Sequence, residues 1–479
     1  MFASVTGALG CVETYAPRPA PTFAANAGPL TVPYAEAESH AGAEAGHART
    51  PLPPKAVELF GADTVAEGKP AGPTVSLEEI VRLAVLRDPA IHAALADVEA
   101  AKADVVQSST LSNPSVLATQ SLVPFPGRPF TEARTGGPPQ LDIVIGYALD
   151  RIVFGKRSAA IARDKLAVDA ASAAHAERVR TRVAEAVTAY VDVLQARALW
   201  MLATEVHGHA RRLQDVTSSR SGATAAAERG RVRIFLLTTH RAVMSEAAAL
   251  DSARARLRER LTLRPDEPTP EPVGFPLIDH PAPPPSEEEA RRAAFESRPD
   301  LQASHREVER ARAAVSAEKR EGLPALGVVG VVSHQFQARA LGAPNVWSYG
   351  FGLSGTLPVL DRNQGGVARA HAAVKLADAH YAATAQRVEA EVRTALAEYR
   401  AAYQAINEAN VGLLTGAAEM RSGIREAYAA GAKSLVEVLD AEQAFSDAMR
   451  LEIEEEAGFI RKYHLLNATV GRAVLSSEP

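Results

Sequence analysis

A single cysteine, Cys11, occurs among the 479 residues of the chain. One thiol forms neither a disulfide within the chain nor a cysteine-based metal cluster, so both are excluded. Aromatic residues are also scarce at 5%, although the hydrophobic fraction is 47% and much of it is alanine. This composition predicts close packing between helices, because long segments rich in Ala, Glu, Arg and Leu are typical of extended helices or coiled coil.

An excess of either charge is missing as well. The 52 basic and 57 acidic residues leave a net charge of -5. Nucleic-acid-binding domains usually carry a basic excess, so the sequence predicts no nucleic-acid partner. The sequence also lacks a run of about 18 or more apolar residues, and no membrane-spanning helix is therefore expected.

Patterns typical of catalysis are absent too. The sequence shows no nucleophile–base arrangement, Walker loop, Rossmann fingerprint or pair of catalytic carboxylates. His207 and His209 lie two positions apart on a predicted helix, so they do not share a face and do not predict a metal site. We therefore expect a protein that is not an enzyme and that binds no cofactor or metal.

The first residues, MFASVTGALGC, are similar to the end of a secretion signal with a bacterial lipoprotein processing site. Two interpretations stay open: Cys11 is lipidated, or it is an incidental cysteine in a disordered tail. The residues from 12 to about 75 are rich in Pro, Ala and Gly, which predicts an extended segment without its own core. Residues 1–75 are thus assigned to a signal remnant and a flexible N-terminal segment.

An internal repeat follows. The segment 76–105 aligns without gaps with 286–315, and the segment 147–171 aligns with 353–377. The matches include Ser, Pro and Val-Glu positions, so two copies of one structural unit account for most of the remaining chain.

The repeat sets the predicted domain boundaries. The first copy spans 76–263 and the second spans 286–475, and the segment 264–285 between them is a Pro-rich linker that cannot continue a helix. Each copy opens with a Ser-x-x-Glu capping box, at Ser76 and at Ser286, which predicts the start of a helix.

Two stretches in each repeat alternate with period two and predict strands. The clearest is 346–357, in which Trp347, Tyr349, Phe351 and Leu353 share one face while Ser and Gly occupy the other. A face of this kind belongs either to a sheet packed on a core or to a lipid-facing strand of an outer-membrane barrel with a hydrated interior. Only long Ala-rich helix follows each strand pair, so no layer is left to cover the sheet, which favours the lipid-facing interpretation.

The other strands are less regular. In the first repeat, residues 141–149 alternate except at one valine, and partner strands are expected at 115–122 and 326–336. The strands therefore occupy about 115–154 in the first repeat and about 325–360 in the second.

The segments after the strands predict very long helices. Residues 156–220 and 366–430 contain no proline. A helix of roughly 65 residues is about 97 Å long. Helices of this length need neighbours along their whole length, as in coiled coils.

The stretch LPVLDRNQGGVARA, residues 357–370, joins the last strand to a long helix. Asp361 and Asn363 are the candidate helix caps. Gly365 and Gly366 supply backbone freedom. We interpret this stretch as a strand-to-helix joint in which the glycines act as the hinge.

Each long helix ends in a tight turn and reverses direction. In the second repeat, Gly431 suits the left-handed position that ends a helix, and Ser434 with Glu437 forms the capping box of the returning helix. In the first repeat, Gly222 corresponds to Gly431, and Thr224 stands in for the missing Ser cap.

The order helix, strand, strand, long helix, tip and return helix, found twice over residues 76–475, resembles the TolC-like outer-membrane efflux proteins. Within that family, the joint at 357–370 is most similar to the CzcC-like branch, which serves heavy-metal resistance–nodulation–division (RND) pumps. The Gly-x-x-Ser-x-x-Glu-Val-Leu-Asp-Ala run at 431–441 is a second family signature.

The resemblance implies a mainly α fold with a membrane β-barrel portion. Three chains form a homotrimer, in which four strands per chain build a 12-stranded β-barrel in the lipid of the bacterial outer membrane and the helices build a trimeric α-helical barrel in the periplasm. The protein is then a passive exit duct for substrates such as heavy-metal cations or small toxic compounds. An inner-membrane RND pump and a periplasmic adaptor deliver them, and the adaptor docks at the tips, which carry Gly222, Thr224, Gly431 and Ser434.

The resemblance also assigns a channel aperture at the tip of the second repeat. Glu437 and Asp440 would form rings of carboxylates in a trimer, which favour cations and raise each other's pKa by repulsion. Tyr428 and Lys433 match family residues that hold the closed state, although the family more often has Arg in place of Lys433. The alternative is that all of these are ordinary solvated helix residues.

Two other functions stay open. The same duct would serve a type I protein secretion system, and only the CzcC-like joint favours efflux. A periplasmic coiled-coil scaffold without a pore is a different class. A scaffold without a pore does not need the apolar strand face formed by Trp347, Tyr349, Phe351 and Leu353, so this face argues against it. Membrane fractionation and the detection of a heat-dependent trimer separate the two functions.

Overall fold

The computed structural model describes residues 73–121, 138–219, 225–274, 282–409 and 412–475. Three predicted site residues, Cys11, Gly222 and Thr224, lie outside these ranges. The elements along the described chain are, in order, β1 (Thr74–Val75), α1 (Leu77–Arg87), α2 (Pro89–Ser109), β2 (Ser115–Ser121), β3 (Gln140–Ala148), α3 (Asp150–Val153), α4 (Lys156–Ser218), α5 (Ala225–Arg260), β4 (Glu271–Pro272), α6 (Glu287–Ser297), α7 (Pro299–Glu321), β5 (Ala325–Gln335), α8 (Gln337–Leu341), β6 (Val346–Thr356), α9 (Gln364–Gln404), α10 (Leu413–Ala429) and α11 (Leu435–Val470).

The chain is mostly helical with a small antiparallel sheet, which confirms the predicted fold class. It divides into two compact units. The sheet unit comprises the described residues within Leu95–Ala173 and Gln302–Thr384. The helical unit comprises those within Pro21–Ala94, Ala174–Leu301 and Ala385–Pro479.

The sheet has the order β2-β3-β5-β6, and every neighbouring pair is antiparallel. Each strand begins and ends within one residue of its predicted bounds. Successive side chains of a strand point to opposite faces of the sheet, so an alternating sequence pattern indicates where a strand lies. Each repeat supplies one pair of strands, and β3 pairs with β5 to join them. The strands β2 and β6 lie at the two edges of this sheet.

The joint at the end of β6 differs from its prediction. Gly365 and Gly366 lie inside the first turn of α9, and neither has a positive φ. The left-handed residue is Asn363, with φ of 58°. Its side-chain Nδ2 donates to the Glu318 carbonyl at 2.9 Å and to the Glu318 carboxylate at 2.6 Å. The hinge is therefore Asn363, which its hydrogen bonds hold in a conformation that Asn tolerates better than most residues.

Gly366 has a different role at this joint. A Cβ there would lie 2.3 Å from Oδ1 of Asn363 and 2.6 Å from Oε2 of Glu318. In the first repeat the left-handed residue is Gly155, with φ of 66°, and Arg320 donates to its carbonyl at 3.1 Å. One joint thus needs a glycine for its backbone conformation, and the other needs one for close packing.

Alanine supplies much of the core of the helical unit, as the composition predicts. One cluster packs α1, α4, α5 and α11 around the fully buried residues Ile80, Ala186, Val191, Leu257 and Leu261. A second packs α6, α9 and α11 around Ala290, Ala294, Val388, Leu466 and Val470. Small side chains let the helix backbones approach each other closely, so long helices bury area without bulky residues.

The long helices of the two repeats are not equivalent. The first, α4, is continuous over 63 residues. The second was predicted as one helix over 366–430, and this is wrong, because α9 ends at Gln404 and a π-helical turn follows over Ala405–Ala409. The next helix, α10, begins after Gly412, whose φ is 88°. A π-turn and a left-handed glycine break the helical hydrogen-bond pattern without any proline.

Short strands border the segments that were predicted to lack structure. β1 pairs in parallel with β4, so Thr74 of the N-terminal segment lies against Glu271 of the Pro-rich linker. Such two-residue strands carry no alternation that a sequence reading detects. None of the helices in the described part of the chain is both long and apolar enough to cross a membrane.

Candidate functional site at the tip of the second helical hairpin

The candidate site is the turn that joins α10 to α11 in the helical unit. Gly431 has φ of 77°, in the left-handed region. The Ala432 N–H donates to the Ala427 carbonyl at 2.8 Å, and the Gly431 N–H donates to the Tyr428 carbonyl at 3.0 Å. These bonds satisfy the last carbonyls of α10, so the helix ends abruptly and the chain reverses.

The returning helix begins at a complete capping box. The Ser434 backbone N–H donates to Oε2 of Glu437 at 2.8 Å, and the Glu437 N–H donates to Oγ of Ser434 at 3.4 Å. The other carboxylate oxygen of Glu437 accepts a hydrogen bond from Nζ of Lys433 at 2.6 Å. One predicted aperture residue, Glu437, is thus held by two of its neighbours.

This arrangement changes the expected electrostatics of Glu437. The Lys433 hydrogen bond, helped by the Ser434 backbone and side-chain bonds, lowers the pKa of Glu437 to about 2. The direction is opposite to that expected from repulsion within a ring of carboxylates. Within one chain, Lys433 keeps Glu437 ionised.

The other two predicted aperture residues occupy contrasting environments. Asp440 lies on α11 one turn beyond Glu437, and it is exposed. Tyr428 is only 6% exposed and packs with Val232, Leu435 and Val438 in an apolar cluster of α5, α10 and α11. The tip therefore combines an apolar anchor at Tyr428 with carboxylates at its surface.

A buried charged group that the sequence analysis missed lies behind this tip. Glu442 of α11 is 1% exposed, and its carboxylate is 3.8 Å from Nη1 of Arg421, 3.7 Å from Nε of Arg425 and 3.9 Å from Nδ1 of His209. These contacts connect α4, α10 and α11. Charges at such depth are tolerated only when opposite charges lie close to them.

Arg421 occupies a position that a helical pattern reserves for an apolar residue. It lies seven residues after Leu414 and seven before Tyr428, which are both buried on the same face of α10. Its guanidinium carbon lies 3.6 Å from the ring centroid of Phe445. The signal in the sequence was a charge in a heptad core position, but its partners come from helices far apart in the chain.

A cavity of about 690 Å³ lies elsewhere in the helical unit, between α4, α5, α9 and α11. Side chains of both signs line it, and they include Arg180, Glu185, Arg260 and Glu391. Arg260 and Glu185 are paired with each other at 3.1 Å. Over the described ranges, no three His, Cys, Asp or Glu side chains are arranged to hold a metal ion.

The predicted lipid-facing residues lie on β6 at one edge of the sheet. Trp347, Tyr349, Phe351 and Leu353 are 64%, 81%, 86% and 78% exposed. The ring of His334 on β5 stacks on Trp347 with 4.3 Å between the ring centroids. Four large apolar side chains in one row on a strand, all bare within the chain, form a patch that soluble monomers rarely leave in water.

Residues 290–471 match the family of the outer membrane efflux proteins. The match covers most of the second repeat. No curated protein matches the chain.

Solved structures of bacterial membrane proteins, among them two outer membrane channels, have the same fold. The Campylobacter jejuni CmeC outer membrane channel is 15% identical with a TM-score of 0.65, and the alignment covers 92% of this chain and 96% of that one. The open-state Neisseria gonorrhoeae MtrE outer membrane channel is 17% identical with a TM-score of 0.64, covering 87% and 95%. A membrane protein from Pseudomonas aeruginosa is 19% identical with a TM-score of 0.64, covering 83% and 90%.

These matches confirm the predicted family resemblance and the predicted fold class. The matched family and the matched channels are transport conduits rather than enzymes, which agrees with the prediction that the protein is not an enzyme. Residues 290–471 thus resemble the outer membrane efflux proteins, and the described chain has the TolC-like fold of outer-membrane channels.

Proposed function

We propose that this protein is the outer-membrane channel of a tripartite efflux system. It is a passive exit duct for substrates that an inner-membrane RND pump and a periplasmic adaptor deliver. The observation that carries the proposal is the bare row of Trp347, Tyr349, Phe351 and Leu353 on a strand at the edge of a four-stranded sheet. Lipid is the environment in which such a row is stable.

The edges of the sheet support a homotrimer. Unpaired backbone groups at β2 and β6 are unfavourable in lipid, because no water is available to bind them. Pairing β6 of one copy with β2 of the next closes a barrel, and three copies of four strands give twelve strands. The helices then extend from the outer membrane into the periplasm.

The tip of the second hairpin is the proposed aperture. In a trimer, Asp440 and Glu437 recur three times around the axis and attract cations. Tyr428 anchors the tip within one chain, and Lys433 reduces the negative charge that Glu437 presents. The tip turn at Gly431 and Ser434, with the first tip at Gly222 and Thr224, is the proposed docking region for the adaptor.

The cargo follows from the CzcC-like joint alone, which favours heavy-metal cations or small toxic compounds. A type I protein secretion system is the second candidate, since the same duct would serve either system.

Membrane attachment through a lipidated Cys11 is a separate proposal. Intact-mass analysis of the full-length protein purified from membranes tests it, and an unmodified Cys11 contradicts it.

Membrane fractionation, followed by mass measurement in detergent, tests the proposed function. We expect the protein in the outer-membrane fraction, as a particle with the mass of three chains that dissociates on heating. Recovery as a soluble monomer contradicts the proposed channel function.

Conductance measurements in planar bilayers test the proposed aperture. Replacing Glu437 and Asp440 by Ala should raise conductance or relieve cation block, and unchanged currents contradict the assignment of these residues to the aperture.

A further inference from the structure

Asp142 is the single charged residue on the strands of the four-stranded sheet. No other residue in the described strands β2, β3, β5 and β6 is Asp, Glu, Lys or Arg. A charge on a strand that crosses lipid is unfavourable unless it faces water or protein, and a charge retained there usually serves a function. The face of the sheet on which Asp142 lies therefore decides what it does.

Asp142 lies on the face opposite to the aromatic row of β6. The register pairs Thr119 with Asp142, Asp142 with Ser333 and Ser333 with Ser348. We call these four residues, one from each strand, the Asp142 row. Tyr349 follows Ser348 along β6, and successive side chains of a strand point to opposite faces. The Asp142 row is thus entirely polar and is directed away from the aromatic side chains.

The face that carries Asp142 is the more sheltered of the two. Gly146 and Ser333, on the same face as Asp142, are buried. Ile145 and Val332, on the opposite face, are 53% and 43% exposed. Side chains converge on the concave face of a curved sheet and spread apart on its convex face, so the sheet curves toward Asp142. In a barrel built from this sheet, Asp142 faces the interior.

A chain of hydrogen-bond donors holds the carboxylate in place. Nε2 of Gln140 donates to Oδ1 of Asp142 at 2.6 Å, and the hydroxyl of Ser333 donates to the same oxygen. Nε2 of Gln335 donates to Oε1 of Gln140 at 3.5 Å, and Nε2 of Gln337 donates to Oε1 of Gln335 at 2.9 Å. Each amide thus turns its donor toward the carboxylate, and such a chain complements the negative charge and fixes its orientation.

The second oxygen of the carboxylate is not used in this chain. Both hydrogen bonds go to Oδ1, and Oδ2 of Asp142 accepts none from the residues that the structure describes. The carboxylate is therefore anchored through one oxygen and presents the other to the interior.

Asp142 lies near the end of the sheet that is farther from the helices along the chain. β3 ends at Ala148 just before α3, and β5 begins at Ala325 just after α7, whereas Asp142 lies at the other end of β3. The next inward-facing positions toward the helices are apolar in three strands, at Leu117, Val144 and Val331. The negative charge is thus confined to the outer end of the inner face.

We propose that Asp142 determines the charge selectivity of the outer end of the channel, where three copies form a ring of carboxylates that favours cations over anions. The inference rests on the proposed function, because the ring requires three chains closed into a barrel. The substrate class that it favours is cationic, whether a hydrated metal ion or a positively charged organic compound. One carboxylate per chain attracts such cations without enclosing them, so they are still released.

Cysteine labelling tests the face on which Asp142 lies. Asp142→Cys and Ile143→Cys are made separately in a Cys11→Ser background, and the full-length trimers are reconstituted into liposomes. Ile143 is the next residue of β3 and lies on the opposite face. We expect a charged, water-soluble maleimide to label the cysteine at 142 and to leave that at 143 unlabelled in lipid. Equal labelling, or labelling at 143 alone, overturns the proposal.

Reversal potentials in planar bilayers under a KCl gradient test the selectivity. All channels carry Glu437→Ala and Asp440→Ala, which remove the carboxylates of the proposed aperture. Asp142→Asn keeps an oxygen that accepts hydrogen bonds but removes the charge. We expect the ratio of K⁺ to Cl⁻ permeability to fall about threefold, because the cation-attracting charge of the interior is lost.

A carboxylate moved within the Asp142 row provides the matched control. Asp142→Asn with Ser348→Asp places the charge on β6 at the same level and on the same face, and it should restore the permeability ratio. Asp142→Asn with Ser348→Asn changes the same two positions without a charge and should not restore it. A purely structural role of Asp142 in joining β3 to β5 predicts no such recovery, so failure of Ser348→Asp to restore the ratio overturns the proposal.

The mass of the particle separates this inference from the proposed function. A conducting particle of three chains whose permeability ratio is unchanged by Asp142→Asn overturns the selectivity role and leaves the channel intact. A particle of one chain that does not conduct contradicts both.

Discussion

The two repeats use the same buried ion pair with its charges exchanged. In the first repeat, Asp88 at the junction of α1 and α2 pairs with Arg182 of α4. In the second repeat, Arg298 at the junction of α6 and α7 pairs with Glu391 of α9 at 2.6 Å. Asp88 and Arg298 are each 1% exposed, and they occupy corresponding positions in the aligned repeats.

The exchange shows what the position requires. A pair of opposite charges is kept where each of these helix junctions contacts a long helix, while the polarity is free to differ. The exchanged charges also affect which helix junction packs on which long helix. If the junction of one repeat docked on the long helix of the other, Asp88 would face Glu391 and Arg298 would face Arg182. Buried like charges are strongly unfavourable, so the exchanged pairs favour docking within each repeat.

The surroundings of the two pairs also differ. Arg298 makes two further hydrogen bonds to the carboxylate of Asp300, at 3.0 and 2.8 Å. Asp88 has Ala90 at the corresponding place, and it accepts a hydrogen bond from the Ala90 backbone N–H at 2.7 Å. The second repeat therefore surrounds its buried charge with more partners than the first.

Reversal of one charge should have the largest effect. Asp88→Arg places two guanidinium groups together at a buried position, and we expect the free energy of unfolding to fall by about 3–5 kcal/mol. Adding Arg182→Glu restores an opposite pair and should recover most of the loss. Guanidinium chloride unfolding in detergent, followed by circular dichroism, measures both variants. If the double variant is no more stable than Asp88→Arg alone, the exchanged pairs are not equivalent.

Removal of one partner should distinguish the repeats. Arg182→Gln leaves Asp88 buried with no cation, and we expect a loss of about 3 kcal/mol. Glu391→Gln leaves Arg298 still bound to Asp300, so we expect a loss of only about 1 kcal/mol. The same unfolding experiment compares the two single variants. Equal losses would show that Asp300 does not compensate for Glu391.

Removal of the hydroxyl group from either of two corresponding tyrosines should have a smaller effect on the free energy of unfolding. The Tyr190 hydroxyl donates to the carbonyls of Val273 at 2.6 Å and Gly274 at 3.0 Å, whereas the Tyr399 hydroxyl donates to Ala282 at 2.6 Å. Each tyrosine ties the core to the Pro-rich linker. We expect Tyr190→Phe and Tyr399→Phe each to lower the unfolding free energy by about 1 kcal/mol, because the ring remains and only the hydrogen bonding of one hydroxyl is lost. Proteolysis of the linker provides a second measurement, and unchanged cleavage in both variants would contradict the tie.

A fall in pH should have the smallest effect on the free energy of unfolding. Burial alone would raise the pKa of Asp88 and of Asp300, but hydrogen bonds and charge from Arg182 and Arg298 outweigh it and hold both below 3.8. A carboxyl with a lowered pKa stabilises the folded state above its ordinary pKa, and this contribution is lost as the pH falls through the lower folded value. We expect stability to fall below about pH 4, and less steeply in Asp300→Asn. A fall of equal slope in both proteins would exclude Asp300 as a contributor.

Local patterns predicted much of the architecture. Ser76, Ser286 and Ser434 each begin a helix with a capping box, and the spacing of Ser and Glu alone marks these sites. Two strands of the sheet, β3 and β6, follow from their alternation, and β2 and β5 were expected as their partners. Neither signal depends on distant residues, so a single sequence is enough to read it.

Features that combine distant segments were not predicted. The break between α9 and α10 occurs in an Ala-rich stretch without proline, where local propensity favours an unbroken helix. The polar contacts of Glu442 join residues from α4, α10 and α11. The hinge at Asn363 depends on the position of Glu318. The polar contacts and the hinge depend on which segments meet in space, which a local pattern does not contain.

The sequence by itself determined the class of fold, because the repeat, the caps and the strand alternation are local or pairwise patterns along the chain. Tertiary structure decided the environment of each charge. Glu437 and Glu442 lie five positions apart on one helix, yet Lys433 holds the first at the surface, while the second is buried between helices. Burial and the distance to an opposite charge set the behaviour of a carboxylate, and both arise only when the helices pack.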